Sequence, residues 1–354
     1  MSDKLIIDKL SIFSPIERDC LPSLYRINEQ LRHYGNNNFL NLNISVKHNK
    51  LWLTLCPYKF LYQSKENIKG ITFSEFKDVI HNLNLILEDL VSIYNIKTED
   101  NLLNFSISAI DLTTNIYADY FFKSYIPLFD SIKPKYNLRI SKIRDIRATK
   151  EDSCIYFMSK GKRASKNDFT IRIYDKKEEM KQNKINPLPE LEDKNIMRFE
   201  LSFRSTKYIK KKLDISKLID ILSMQSFDNL EEKRKEILKD YLFHEVIEDD
   251  RHCLNSLNDV EIARLIKEKQ KRNSLITIML LLSADTINYK YLKDIFMTIG
   301  MCETHINNEM KKIKRYKSLY RQNKTNNLPT IASLYEEIYC KLFSDKQKQL
   351  AEVA

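Results

Sequence analysis

Apolar positions change period several times along the first two-thirds of the chain. In residues 41–62 (NLNISVKHNKLWLTLCPYKFLY) they alternate with polar ones, the pattern of a half-buried strand, and the stretch reads as a hairpin turning at His48-Asn49-Lys50. Past Thr72 the interval lengthens to three and four. Phe76, Val79, Ile80, Leu83, Leu87, Leu90, Val91 and Tyr94 fall on one helical stripe, and Thr72 with Glu75 supplies a capping box at its start. Residues 103–113 return to strand and 118–130 to helix. Further strands are expected near 153–159, 169–176 and 195–204, with a basic loop from Lys160 to Asp168 between the first two.

Beyond Ser205 the period is helical throughout, over roughly 215–224, 229–247, 258–271, 274–283, 288–298, 302–318 and 331–350. Lys207 and Lys210 to Lys212 mark the change. The expected fold class is therefore α+β: an antiparallel-sheet domain over residues 1–205, followed by an α-helical domain over 206–354.

Two of the expected strands have one oily and one charged face. In FTIRIYDK, Phe169, Ile171 and Ile173 point one way, and Arg172, Tyr174 and Lys176 the other. In NIMRFELSF, Met197, Phe199, Leu201 and Phe203 oppose Arg198 and Glu200. A solvated sheet face accounts for such alternation. Two arginines, a lysine, a tyrosine and a glutamate on one face also form a set able to bind phosphate and a metal together.

Composition narrows the partners. Hydrophobic residues make up 43% of 354, enough for a packed core. Lys and Arg number 59 against 48 acids, a formal charge of +11, which draws polyanions without choosing among them. No apolar run reaches the roughly 18 residues of a membrane span, and the N-terminus lacks a signal-peptide core, so no membrane partner is expected. The six cysteines are scattered and none is paired as CxxC, which suggests neither zinc nor disulfides and points to a reducing cytoplasm. With only four glycines and no GxxxxGK[ST], the sequence argues against a P-loop NTPase.

Five segments recur in an informative order. They are Cys56-Pro57-Tyr58-Lys59-Phe60-Leu61, a strand Ile107 to Asp111 ending in a carboxylate, Ile155-Tyr156-Phe157-Met158-Ser159 before the basic loop, Arg172-Ile173-Tyr174-Asp175-Lys176 running to Glu179, and Arg198-Phe199-Glu200. In this order they resemble the rolling-circle replication initiators of plasmids and filamentous phages, the gene II type of replication protein, over about residues 41–205. The sequence departs from that family where Phe157-Met158-Ser159 replaces x-Gly-Ser after the tyrosine. It also lacks the His-x-His pair of the wider relaxase group, so a metal would rest mainly on carboxylates.

The resemblance implies an enzyme that nicks one strand of origin DNA in the cytoplasm, leaving a 5′-phosphotyrosine and a free 3′-OH. Tyr156 becomes the candidate nucleophile, with Tyr174 its rival. Asp111, Glu200 and Glu179 become candidate ligands of Mg²⁺ or Mn²⁺. Arg172, Lys176 and Arg198 would hold phosphate, and Lys160, Lys162, Arg163 and Lys166 the strand beside the nick. Host helicase and polymerase are the implied partners, and a homodimer is compatible. A non-enzymatic DNA-binding initiator and a mobilisation relaxase stand as alternatives. In the helical half, residues 289–299, Gly300 and 303–316 have the outline of a helix-turn-helix. Lys311, Lys312, Lys314 and Arg315 follow with no acid before Lys324, and are expected to contact DNA phosphates.

Overall fold

The computed structural model describes residues 5–17, 24–65, 67–132, 134–136, 138–141, 154–159, 168–185, 189–244 and 331–343, with short stretches between 293 and 311. The chain mixes α and β structure around one antiparallel sheet. Its strands are β1 (Ile6–Pro15), β2 (Leu40–Ser45), β3 (Lys50–Leu55), β4 (Ser106–Ala118), β5 (Leu138–Ser141), β6 (Cys154–Ser159), β7 (Phe169–Asp175) and β8 (Asn195–Phe203). They lie in the order β2-β3-β1-β4-β8-β7-β6-β5, every neighbouring pair antiparallel.

The helices up to residue 242 are α1 (Leu24–Asn37), α2 (Pro57–Tyr62), α3 (Phe73–Tyr94), α4 (Phe122–Ser131), α5 (Lys176–Gln182), α6 (Thr206–Leu213) and α7 (Met224–Leu242). Helix α3 carries the expected capping box: the Glu75 N–H donates to the Thr72 hydroxyl, and the Thr72 N–H to the Glu75 carboxylate. Its buried stripe is Phe76, Val79, Ile80, Leu83, Ile86 and Leu90, so Ile86 takes the inward place expected of Leu87.

Several boundaries differ from those the sequence pattern predicts. The hairpin ends at Leu55, because Cys56 is an N-cap and Pro57 opens α2 at a position whose N–H needs no partner. Strand β4 runs on to Ala118, so Asp111 sits mid-strand, paired with Ser202, and the next helix starts only at Phe122. The lysine-rich segment expected as a boundary is helix α6, whose Ile209 and Leu213 are buried. Residues 218–221, expected in an α-helix, form a 3₁₀ turn. Strand β1, a central strand, and helix α1 have no counterpart among the predicted elements.

Helix α1 lies along the outer edge of β2. The Asn28 side chain donates to the Ile44 carbonyl and accepts from the Ile44 N–H. Seven residues on, a Cβ at Gly35 would stand 2.5 Å from the Leu40 carbonyl oxygen and 3.1 Å from the Leu42 nitrogen, so only glycine permits this approach.

The chain divides into two compact units. One comprises Met1–Phe122, Pro134–Tyr241 and Leu342–Ala354; the other comprises Lys123–Lys133 and Leu242–Lys341. The sheet's unit thus extends beyond residue 205. Phe227 of α7 packs its ring against Phe73 and Phe76 of α3, with centroids 5.8 and 5.5 Å away. The Ile107 N–H donates to the Ser216 carbonyl and the Leu218 N–H to that of Phe105. In the second unit the Tyr125 hydroxyl donates to Glu337 at 2.7 Å, and Phe243 packs on Tyr335 of the helix Ile331–Phe343. Residues 303–308 are helical and Gly300 holds a turn at φ 81°. The helices expected at 258–271 and 274–283 lie outside the described residues.

Candidate functional site

The polar face of the sheet follows from strand register. Tyr156 of β6 pairs with Arg172 of β7, Arg172 with Glu200 of β8, and Glu200 with Thr113 of β4. One step along, Cys154, Tyr174, Arg198 and Asn115 form a second row, and in the other direction Thr170, Ser202, Asp111 and Lys9 of β1 form a third. The alternation in β7 and β8 therefore puts their charged positions on one face. The difference lies in burial: Arg198 and Glu200 are both 0% exposed, not solvated.

Tyr156 is half-buried, and the Arg172 guanidinium carbon lies 5.9 Å from its ring centre. Burial pushes the phenol above its ordinary range and the neighbouring Cys154 adds to the rise, while Arg172 pulls the other way. Tyr174 is more enclosed, 7% exposed, and its hydroxyl donates to Glu200 at 3.2 Å. Burial and then the Glu200 charge hold that phenol well above the usual range. Of the two tyrosines, Tyr156 is the less enclosed.

Arg172 ion-pairs with Glu200 through Nη2, and its Nε–H, buried, meets no acceptor among the described residues. Glu200 also accepts from Ser202 at 2.9 Å. Asp111 is bound by both terminal nitrogens of Arg204, one of them at 2.7 Å. Burial drives the Asp111 carboxyl up to about 6; Arg204 opposes the rise and Glu200 adds to it.

The second row serves a different purpose. Arg198 donates from Nε to Asn115 at 2.8 Å, from Nη1 to Asp8 at 3.2 Å and from Nη2 to the Asn67 carbonyl. All three nitrogens are engaged, so the phosphate contact expected of Arg198 is replaced by an internal one. Asp8 reaches this row through a register shift in β1 between Ile7 and Lys9, a bulge of the sort that re-aims a side chain. Burial raises its carboxyl, but Arg198, Lys176 and the Asn67 amide outweigh that and hold it below its ordinary value.

Lys176, expected on the strand's charged face, is the first residue of α5 and 1% exposed. Its ammonium pairs with Glu179 at 2.5 Å, and burial, with Arg198 beside it, lowers its proton affinity. Glu179 also accepts from Asn183 at 2.6 Å. Asp175 caps α5 by accepting from the Glu178 N–H, so the expected acidic helix start is present.

Asp111 and Glu200 are the two carboxylates the third and first rows bring close, diagonal neighbours on β4 and β8. Glu179 belongs with Lys176 on α5. Among the described residues, no three acidic, histidine or cysteine side chains gather as a metal group. Two carboxylates suit Mg²⁺ or Mn²⁺ where water and phosphate oxygens complete the shell. Asp8, Lys9, Ser202 and Arg204 join the site without having been legible as candidates in the sequence. Arg204 carried a signal, since it continues the parity of Arg198, Glu200 and Ser202.

No protein-family model matches the chain, and no curated protein matches it. Lys160, Lys162, Arg163 and Lys166, and likewise Lys312, Lys314 and Arg315, lie outside the described residues, whereas Lys311 is exposed. No helix among the described residues is long and apolar enough to cross a membrane.

Proposed function

We propose that the chain is a tyrosine-dependent endonuclease that nicks one strand of origin DNA to begin rolling-circle replication. The observation that carries this reading is Tyr156 standing opposite Arg172, whose buried Nε–H has no acceptor among the described residues. The Arg172 side chain is 34% exposed, and a phosphate bound at its guanidinium would lie beside the Tyr156 hydroxyl.

In the proposed step the Tyr156 oxygen attacks phosphorus in line with the 3′ oxygen. The P–O3′ bond breaks as the P–O(tyrosine) bond forms. The phenolic proton is lost and the departing 3′ oxygen gains one. The ester energy stays in the phosphotyrosine, so the step needs no nucleotide hydrolysis. Arg172 offsets charge developing on the phosphate. Glu200 fixes that guanidinium from its far side, and Asp111 with Glu200 would hold a divalent cation. When bound, such a cation polarises the phosphate as a Lewis acid. Arg198, Asp8 and Asn115 keep the face rigid beneath them.

One observation favours a non-enzymatic DNA-binding initiator: each carboxylate is already paired with an arginine, as structural ion pairs are. The test is to incubate the protein and Mn²⁺ with a supercoiled plasmid carrying the DNA that flanks its coding sequence. Nicked circles bearing covalently attached protein are expected. Binding without nicking, in Mg²⁺ and Mn²⁺ alike, would favour the non-enzymatic reading.

A further inference from the structure

We infer that the polar face of β2, β3 and β1 is a track for single-stranded DNA leading to Asp111, in the row beside that of Tyr156. The choice of DNA rests on the nicking reading above; the observations themselves are separate. Register aligns Asn43, Trp52 and Phe13 across the three strands, and Asn41, Thr54 and Ser11 in the adjacent row. The Phe13 and Trp52 rings lie 4.7 Å apart at an interplanar angle of 30°, both partly exposed. The Lys50 ammonium sits 4.1 Å from the Phe13 ring centre.

Two clefts run over this surface. One, of about 350 Å³, is lined by Arg32, Asn36, Asn41 and Asn43. The other, of about 390 Å³, shares Asn36 and Asn41 and reaches Thr54, Lys9, Asp8 and Asp111. Together they lead from the β2 edge to β4, roughly 14 Å by strand spacing. Arg32, Lys50 and Lys9 give this path a positive charge. The two carboxylates that border it, Asp8 and Asp111, are each bonded to an arginine.

A positive groove, aromatic rings and amide side chains are what an unpaired strand requires: phosphate neutralisation, stacking surfaces and sequence-tolerant hydrogen bonds. In a duplex the base faces are already stacked on their neighbours, so a ring pair of this kind selects the single strand. A cross-strand aromatic pair also stabilises a sheet. Packing alone gives no reason for the clefts beside it to be lined with Arg32, Asn41, Asn43 and Lys9 and to end at Asp111, one of the two candidate metal carboxylates.

Trp52 is the sole tryptophan, so its emission reports on this face alone. The full-length protein is titrated with oligothymidylate at low salt, following Trp52 fluorescence and the anisotropy of a labelled oligonucleotide. Saturable quenching that tracks the anisotropy is expected. Phe13→Ala, and Arg32→Ala combined with Asn43→Ala, should each weaken single-strand binding roughly tenfold and leave duplex binding unchanged. The second variant alters only β2 and α1 surface positions, so the test survives if Phe13→Ala misfolds. Anisotropy rising with Trp52 emission unmoved, or unchanged affinity in the variants, would overturn the track. Tighter binding of oligouridylate would overturn the assignment to DNA. Adduct formation without any Trp52 response would remove the track and leave the nicking reading; full quenching without an adduct would do the reverse.

Discussion

Tyr156 and Arg172 stand opposite each other on β6 and β7, and Glu200 binds the same guanidinium from β8. The tyrosine thus stands on one side of the guanidinium and the fully buried Glu200 on the other. Its hydroxyl is one atom on a half-buried ring, and that makes a clean experiment possible.

Tyr156→Phe keeps the ring and removes the proposed nucleophile. Strand cleavage and the covalent adduct should both vanish, origin binding should persist, and stability should move by no more than about 1 kcal/mol. Digestion of the wild-type complex should yield a 5′-phosphotyrosine on the peptide spanning Cys154 to Lys160, identified by mass spectrometry. Label on Tyr174 would assign the nucleophile to β7.

Asp111 sets a pH dependence. With its carboxyl at about 6 in the folded chain and near 3.9 when unfolded, the folded state binds more protons between those values. The stability this contributes is present below about pH 4 and lost as pH rises through about 6, on the order of 3 kcal/mol. Asp111→Asn, neutral throughout, should remove that slope, as urea unfolding at pH 4 and pH 7 would register. The same variant should lose nicking, and the wild-type rate should climb as pH passes 6, where the carboxylate ionises.

Arg198 and Asp8 form a pair in which the arginine is fully buried and the carboxylate borders the cleft. Arg198→Met strands the Asp8 carboxylate and should cost about 3–5 kcal/mol. Adding Asp8→Asn should recover part of that loss, giving a coupling of at least about 1 kcal/mol in a double-mutant cycle. Additive losses measured by denaturant would show that the contact is incidental.

Under the proposed function, the basic run from Lys311 to Arg315 is expected to contact duplex phosphates. Replacing Lys311, Lys312, Lys314 and Arg315 with Ala should weaken duplex binding and lower the slope of log K against log salt by about one for each phosphate left unneutralised. An unchanged slope would show that these side chains are only solvated.

The strands that build the row are legible in the sequence because β7 and β8 alternate cleanly, so their charged positions have to share a face. What alternation leaves open is the depth of that face; Arg198 and Lys176 have the pattern of surface cations and are instead enclosed. Strand β1 escapes the pattern for a related reason. Its bulge sets Asp8 and Lys9 side by side, which breaks the two-residue period where the strand contributes most to the site. Asp111 has the look of a strand end because its pairing partners on β8 lie some ninety residues away. Local pattern carries the elements, and long-range register carries the site.

The contact of α1 with β2 limits how this protein can assemble. Asn28 offers Ile44 the donor and acceptor that a ninth strand would bring, and the backbone near Gly35 fills the space such a strand would occupy. That border of the sheet is closed to strand exchange with a second copy and to fibrillar growth. Among the described strands, a dimer that continued the sheet would join at β5, beside the strand that carries Tyr156 and at the opposite end from β2.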